Sequence, residues 1–288
     1  MRRPLLKTLF LALPILAMFI ASGCVDENHH GDVYVDRTPP VEPRGLFSVT
    51  GDGRVDLYWI SNTEEDLAGY RVYWSSSAYG AYEYMATTVN AHYTDYEVVN
   101  GTTYYYAVTA YDRDGNESEL SYETVSDTPR PEGFDLVLYD FNGTNYTLSG
   151  YDFSMYARMT YNSDYTDIFY GFVDGIPVMY AWNPYPEWPA TDIQDAGYRT
   201  LEEADDAPSN GWTTDHLVIL TVGHSYFVWT RTNNYAKFYV KQIEPGYVVL
   251  DWAYQTAPEN PELANRKLAK TDTTPVPSQL SENGGVAR

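Results

Sequence analysis

The stretch that decides the fold of this chain is Thr103-Tyr104-Tyr105-Tyr106-Ala107-Val108-Thr109-Ala110-Tyr111. Successive residues of a β-strand point to opposite faces of the sheet. One face of this stretch therefore carries Tyr104, Tyr106, Val108 and Ala110. The segment Asp114-Gly115-Asn116 follows directly and is typical of a hairpin turn. The stretch thus predicts a strand of an antiparallel sheet with at least one buried face.

Six further runs with a strand pattern surround this stretch, and turn residues separate them. Seven short strands at a spacing of about ten residues indicate an antiparallel β-sandwich. The six runs are Leu46–Thr50, Arg54–Ile60, Gly69–Ser75, Tyr82–Thr87, Tyr93–Val98 and Glu119–Val125.

Particular motifs sharpen this prediction. They are Pro39-Pro40, Trp59, Leu67-Ala68-Gly69-Tyr70-Arg71-Val72-Tyr73-Trp74, Asn100-Gly101-Thr102-Thr103-Tyr104 and Gly115-Asn116-Glu117-Ser118. Through these motifs residues 39–128 resemble a fibronectin type III domain, which we place at 39–130. The resemblance implies that Trp59 is the core tryptophan of the second strand. It also implies that Tyr104 is the tyrosine corner, with its hydroxyl bonded to nearby backbone. It implies no particular function, because this fold serves both as a spacer and as a binding scaffold.

The amino terminus predicts export. Positive residues at 2, 3 and 7 precede the uncharged run Leu9–Ala21, which has 13 residues. A membrane-spanning helix needs roughly 18 or more, so the run fits a signal peptide. The segment Ile20-Ala21-Ser22-Gly23-Cys24 resembles a bacterial lipobox, with Ala21 in place of the more common Leu. The resemblance implies removal of residues 1–23 and acylation of Cys24. The alternative is an ordinary secretory signal with a free cysteine.

Charge and cysteine content limit the classes of function. Cys24 is the only cysteine, so no intrachain disulfide can form. The chain has 40 acidic residues against 18 Lys plus Arg, three of which lie in the signal. Nucleic-acid binding needs clustered basic residues, so this composition excludes it. Residues 24–38 are polar and read as a tether. His29-His30 in that tether could contact a metal, but a linker is the favoured interpretation.

A second domain, rich in tyrosine, is predicted at 134–256, after a stiff hinge at residues 129–133. Its clearest strands are His224–Thr230, Tyr235–Ile243 and Tyr247–Gln255, joined by turns at Asn233-Asn234 and Glu244-Pro245-Gly246. Such a series predicts an antiparallel meander with local connections. Four prolines between 183 and 214 rule out a long helix there, and 200–207 allows one helical turn. Residues 257–288 lose the pattern and predict a disordered tail.

Segments of the second domain carry two weaker resemblances. They are residues 223–230, 235–238 and 251–256, which are similar to a recurrent motif of uncharacterised exported bacterial proteins. The strand that begins Tyr235-Ala236-Lys237 is also faintly similar to haem-scavenging lipoproteins of the HmuY type. That family holds haem iron with a pair of histidines. No motif match assigns this role to His216 or His224, and on one continuous strand they would lie too far apart to share an iron.

The best candidate binding surface is the loop from Tyr180 to Pro189, where prolines restrict the backbone. Three of its members, Trp182, Tyr185 and Trp188, could join Tyr180 in stacking on a sugar or a partner side chain. The alternative is that these aromatic residues fold inward over the sheet. Two acidic segments, 112–117 and 202–206, could hold calcium, but a hairpin turn and a solvated loop are the favoured interpretations.

No catalytic motif, cysteine-based metal site or phosphate-binding loop occurs, so we predict no enzyme and no cofactor. The sequence therefore predicts a lipid-anchored protein of the cell envelope, at the outer membrane or cell surface, whose second domain binds a glycan or an envelope protein. The alternatives are a scavenger of haem or metal ions and an accessory module of a hydrolase.

Overall fold

The structure is a computed structural model that describes residues 36–181 and 190–264, together with the backbone of residues 266–268. The predicted signal and tether, including Cys24 and His29-His30, lie outside these residues. The described residues from Arg37 onwards belong to one compact unit. Among the described residues, no helical segment combines the length and hydropathy that a membrane crossing demands. The predicted all-β class is confirmed.

The first sandwich consists of two four-stranded sheets, with strand orders β18-β1-β2-β5 and β4-β3-β6-β7. Its strands are β1 (Arg44–Gly51), β2 (Arg54–Ile60), β3 (Leu67–Ser75), β4 (Glu83–Thr88), β5 (His92–Asp95), β6 (Tyr104–Asp112), β7 (Val125–Asp127) and β18 (Arg266–Leu268). All pairings are antiparallel. Seven of the eight strands come from residues 44–127, and the eighth comes from the far end of the chain.

The alternation in β6 builds the core between these sheets. Tyr106, Val108 and Ala110 are fully buried there. The Tyr106 hydroxyl donates to Asp95 Oδ2 at 2.9 Å, so the buried phenol is satisfied by a carboxylate at the end of β5. Trp59 is also buried and packs its edge on Tyr70, with ring centroids 5.2 Å apart. Burial of these side chains between two sheets is the main source of stability for a domain without a disulfide.

Two details near β6 bear on the sequence predictions. The backbone N–H of Val99 donates to the Tyr104 hydroxyl at 3.0 Å, which ties the preceding loop to the strand. The predicted strand Glu119–Val125 is wrong, because the paired strand covers Val125–Asp127. Before it, Ser118 and Ser121 hydroxyls accept β6 backbone N–H groups, so side chains replace part of the regular ladder.

The second sandwich consists of two five-stranded sheets, ordered β10-β9-β11-β12-β14 and β13-β15-β16-β17-β8. Its strands are β8 (Glu132–Tyr139), β9 (Gly150–Asp152), β10 (Ala157–Met159), β11 (Ile168–Val173), β12 (Ile176–Ala181), β13 (Asp192–Tyr198), β14 (Leu217–Ile219), β15 (His224–Trp229), β16 (Tyr235–Glu244) and β17 (Tyr247–Tyr254). A short 3-10 helix covers Tyr146–Leu148.

The predicted meander describes only part of this sandwich. The hairpins β15–β16 and β16–β17 occur as expected. However, β8 pairs with β17 across more than a hundred residues, and the sheet that contains β11 and β12 packs opposite. The predicted meander is therefore confirmed for β15, β16 and β17, and the long-range pairing of β8 with β17 is an addition that the sequence did not predict. Pairing of the first strand with the last buries an edge that a meander would leave open.

Strand β13 was not predicted, because it lies in the stretch between 183 and 214 where the sequence pattern is lost. Ile193 is its one fully buried residue and points into the core. A register shift between Asp195 and Gly197, with Gly197 at φ +79°, breaks the alternation. A glycine accepts this backbone conformation without strain, so the bulge is stable but hides the strand from a period-two pattern.

The segment predicted as a hinge is a buried junction between the sandwiches. Arg130 has no exposed surface, and its N–H donates to the Gly51 carbonyl at 3.2 Å. Pro131 O accepts from the N–H of Tyr254 at 3.0 Å. The linker is thus bonded to a strand end of each sandwich, and this pattern does not suit a free hinge.

The prediction of a disordered tail from residue 257 is wrong for its first part. Leu263 and Ala264 are buried, and the Ala207 N–H donates to the Pro261 carbonyl at 2.8 Å. The Arg130 guanidinium donates to the Leu263 and Ala264 carbonyls at 2.7 and 3.2 Å. Strand β18 then pairs with β1, with Leu268 opposite Phe47. Composition favours a polar tail, but tertiary hydrogen bonds hold this segment. Residues 269–288 lie outside the described part.

We expect Arg130→Ala to lower the free energy of unfolding by several kcal/mol. The substitution leaves two buried carbonyls without a donor, at about 1–3 kcal/mol each, and adds a cavity. Denaturant unfolding of the purified protein measures the change, and limited proteolysis reports loosening of residues 257–264. The exposed Arg113→Ala is the matched control. An unchanged unfolding midpoint in Arg130→Ala would contradict the role of this side chain.

Candidate ligand-binding site

Three neighbouring strands of the second sandwich place side chains in a row at one end of their sheet. Asp192 of β13 lies opposite Trp229 of β15, and Trp229 lies opposite Tyr235 of β16. Residues directly opposite each other in antiparallel strands project to the same face. Their neighbours Val228 and Ala236 fill the core, so this row lies on the outer face of the sheet.

Aromatic rings pack together along this row. The rings of Trp229 and Tyr235 stack with centroids 5.8 Å apart and an interplanar angle of 23°. Trp212, from the loop before β14, lies 6.3 Å from Tyr235 and 5.9 Å from Trp229. The Trp229 indole N–H donates to Asn233 Oδ1 at 2.8 Å. This hydrogen bond and the stacking hold the indole in one orientation, and all three rings remain partly exposed.

A cavity of about 350 Å³ opens beside Trp229. This volume lies within the range of about 300–1,000 Å³ that is typical of small-molecule sites. The lining residues are Ala190, Asp192, Trp229, Thr230, Arg231 and Asn233. The wall of the cavity therefore combines an indole with a carboxylate, a guanidinium, an amide and a hydroxyl.

The two histidines of the second sandwich, His216 and His224, each contact a carboxylate. His216 Nδ1 lies 3.1 Å from Asp192 Oδ1, at the wall of the cavity. Burial raises the pKa of Asp192, and the charge of His216 acts against this shift. His224 Nδ1 lies 3.0 Å from Asp195 Oδ1. The rings of His224 and Tyr198 meet edge to face.

These two histidines do not form a joint ligand set. His216 immediately precedes β14 and His224 begins β15, and these strands belong to different sheets. Each Nδ1 faces its own carboxylate. The chain turns between the two strands, so the distance argument for one continuous strand does not apply.

The predicted aromatic loop is described only at its first two residues, Tyr180 and Ala181. Tyr180 lies on β12 and is partly buried, and its ring stacks on Phe169 with centroids 4.7 Å apart. The ring of Phe141 approaches it edge-on. Phe169 thus covers one face of the Tyr180 ring, on the side of the sheet opposite to the core that holds Met179 and Ala181. The other three predicted residues, Trp182, Tyr185 and Trp188, lie outside the described residues.

The acidic segment at 112–117 forms a hairpin turn, which is the interpretation favoured from the sequence. Asp112 Oδ1 accepts the backbone N–H groups of Asp114 and Asn116 at 2.9 and 2.8 Å. Burial works against the charged form of this carboxyl, but the hydrogen bonds from Asn116 and from the turn backbone outweigh it and lower the pKa of Asp112. The carboxylate therefore stabilises the hairpin.

The acidic segment at 202–206 surrounds a buried ammonium group. Lys237 has no exposed surface, and its Nζ donates to the carbonyls of Leu201 and Ala204. Burial lowers the pKa of Lys237 well below its usual range, and the neighbouring positive charge of Arg130 adds to this effect. The backbone carbonyls of Leu201 and Ala204 thus accept hydrogen bonds from a buried amine. The sequence pattern did not predict this contact.

Two buried carboxyl groups belong to the sheet of β9 and β11: Asp152 ends β9, and Asp167 directly precedes β11. Asp152 Oδ1 accepts from Ser154 Oγ and from the Met155 N–H at 2.7 and 2.9 Å. Asp167 Oδ2 accepts the Phe153 N–H at 2.9 Å. Burial raises the pKa of Asp167 to about 7, against the effect of that hydrogen bond.

The chain is similar to segments of polysaccharide-degrading enzymes. An amylopullulanase of Thermoanaerobacterium saccharolyticum is 39% identical over 100 residues, which cover 34% of this chain and 8% of that enzyme. Exoglucanase B of Cellulomonas fimi is 31% identical over 196 residues, which cover 66% of this chain and 16% of that enzyme. The chain therefore spans only a small part of these relatives. No family model matches.

A solved structure is similar to the first sandwich. A fibronectin type III-like protein of Clostridium thermocellum is 30% identical, with a TM-score of 0.29, and the match covers 33% of this chain and all of that one. The strand order and the positions of Trp59 and Tyr104 agree with the predicted resemblance, and the first sandwich is fibronectin type III-like. The enzyme matches fall on fibronectin type III-like segments and support a non-catalytic module.

We expect Asp167→Asn to change how stability depends on pH. The folded pKa of about 7 exceeds the ordinary value of 3.8, so the folded state holds the proton more tightly. The resulting stabilisation is full below about pH 4 and is lost as the pH rises through 7, by about 1–4 kcal/mol in total. Asparagine does not titrate.

Urea unfolding at pH 5, 6, 7 and 8 measures this effect. The stability of the wild type relative to Asp167→Asn should fall as the pH rises. The exposed Asp164→Asn, which removes a neighbouring carboxylate from the surface, is the control. A level difference for Asp167→Asn would mean that burial does not raise this pKa.

Proposed function

We propose that this protein is a lipid-anchored, non-enzymatic protein of the bacterial cell envelope that binds a glycan. In this proposal Cys24 carries the lipid, the fibronectin type III sandwich acts as a spacer, and the second sandwich binds the ligand. The observation that carries it is the similarity to non-catalytic segments of an amylopullulanase and an exoglucanase. Such modules accompany polysaccharide chemistry without performing it.

The surface charge and the cavity beside Trp229 support a neutral ligand. The acidic residues outnumber Lys plus Arg by 40 to 18, which disfavours anionic polymers. An indole with adjacent polar groups is suited to a sugar, because the ring stacks on C–H groups while the polar side chains bond to hydroxyls. A neutral glycan of the envelope would fit this surface and would be accessible to an exported protein.

A second candidate function is an accessory protein of a separate hydrolase, and the same enzyme similarities favour it. In that case the protein holds the substrate while a partner cleaves it. A hydrolase gene next to the gene of this protein, and co-purification of the two products, would support this version.

We expect Cys24→Ser to abolish lipidation. Cells that express the full chain are grown with an alkyne-labelled fatty acid, and the purified protein is tested for label. The wild type should carry label and fractionate with membranes, because two or three acyl chains anchor a domain stably at about 0.8 kcal/mol per buried CH₂. Label on the serine variant, or none on the wild type, would refute the anchor.

We expect the chain from residue 24 onwards to bind particular members of a glycan array. The double variant Trp182→Ala, Trp188→Ala tests whether the predicted aromatic loop contributes, and the exposed Tyr122→Ala in the first sandwich is the control. Binding by the wild type and the control supports the proposed function. An array on which the wild type binds no glycan above background would sink it.

A further inference from the structure

The cavity beside Trp229 has the composition of a sugar-binding subsite. We infer that it binds one or two neutral hexose units of the glycan, with the ring stacked on Trp229 and hydroxyls bonded to Asp192, Arg231 and Asn233. This inference rests on the proposed function and names its site. It differs from the predicted loop at 180–189, since its residues are Ala190, directly after that loop, Asp192 of β13, Trp229 of β15 and Thr230, Arg231 and Asn233 of the β15–β16 turn.

The first argument is the rigidity of the indole. Trp229 is held by stacking with Tyr235 and Trp212 and by its hydrogen bond to Asn233 Oδ1 at 2.8 Å. The Asn233 amide is itself held, because its Nδ2 donates to Glu259 Oε1 at 3.0 Å. A ring that is already fixed loses little conformational entropy when a ligand stacks on it.

The second argument is the complement of polar groups. The Arg231 guanidinium has five N–H donors, and in the described part of the chain its Nη1 donates to the Asp164 carbonyl. Asp192 offers carboxylate acceptors and is held by His216 on one side. Neighbouring hydroxyls of a hexose both donate and accept, so they match a guanidinium and a carboxylate on the same wall.

The third argument concerns size and charge. A cavity of about 350 Å³ lies near the lower limit of small-molecule sites and suits a short saccharide unit. One guanidinium is offset by one carboxylate, and the protein as a whole has a net charge of −22. A phosphorylated or highly sulfated ligand would therefore meet an unfavourable field. A neutral polyol is not repelled by this field.

The test measures binding of α-1,4- and β-1,4-linked glucose trisaccharides to the chain from residue 24 onwards, by tryptophan fluorescence and calorimetry. Trp229→Ala should weaken binding of the preferred trisaccharide by about tenfold or more, because the stacking surface is lost. Arg231→Gln should weaken it several-fold. The exposed Arg199→Gln, on the same sandwich, should leave it unchanged.

Three outcomes are distinguishable. If the wild type binds and both pocket variants lose affinity while their melting temperatures are retained, the subsite is supported. If Trp229→Ala does not fold, Arg231→Gln decides alone, because its side chain is partly exposed. If the folded pocket variants bind as tightly as the wild type, the subsite is refuted and the proposed function stands. If the wild type binds neither the array nor the trisaccharides, both fall.

Discussion

Burial of the Arg130 guanidinium is the constraint on which the joint between the sandwiches depends. A buried cation is costly unless donors and acceptors are matched around it. Here the carbonyls of Leu263 and Ala264 accept its protons, and the nearby charges of Glu132, Asp127 and Glu262 favour its charged form. The linker and the segment after β17 must therefore meet at one point. From this point the chain returns to the first sandwich, where β18 pairs with β1.

A second buried cation extends this polar layer. Lys237 donates hydrogen bonds to carbonyls of the loop at 201–204. Burial raises the pKa of the nearby Glu132, and the positive charges of Arg130 and Lys237 act against this shift. Such groups contribute little net stability compared with apolar packing, but they allow few alternative arrangements. The layer therefore orients the outer face of β15 and β16. The loop that covers Lys237 is continuous with Trp212, which packs on Trp229.

The candidate site follows from this arrangement. Asp192 is far from Trp229 along the chain, Tyr235 follows Trp229 across one hairpin turn, and strand register aligns all three. The cavity beside them lies at the end of a sheet, where the β15–β16 turn supplies Arg231 and Asn233. Polar side chains in turns tolerate exposure, while the strands behind them remain rigid. A binding surface on a rigid scaffold with short turns needs little rearrangement.

The sequence by itself determined the all-β class, six of the seven predicted strands of the fibronectin type III sandwich and the last three strands of the second one. These features depend on local alternation and on turn residues, which a single stretch such as Thr103–Tyr111 displays. Tertiary structure alone decided the pairing of β8 with β17, the bulged strand β13, and the ordered segment that ends in β18. These elements depend on hydrogen bonds to distant residues, for which no local period exists. The cavity was not predicted for the same reason, because register brings Asp192 beside Trp229 and no spacing in the sequence records it.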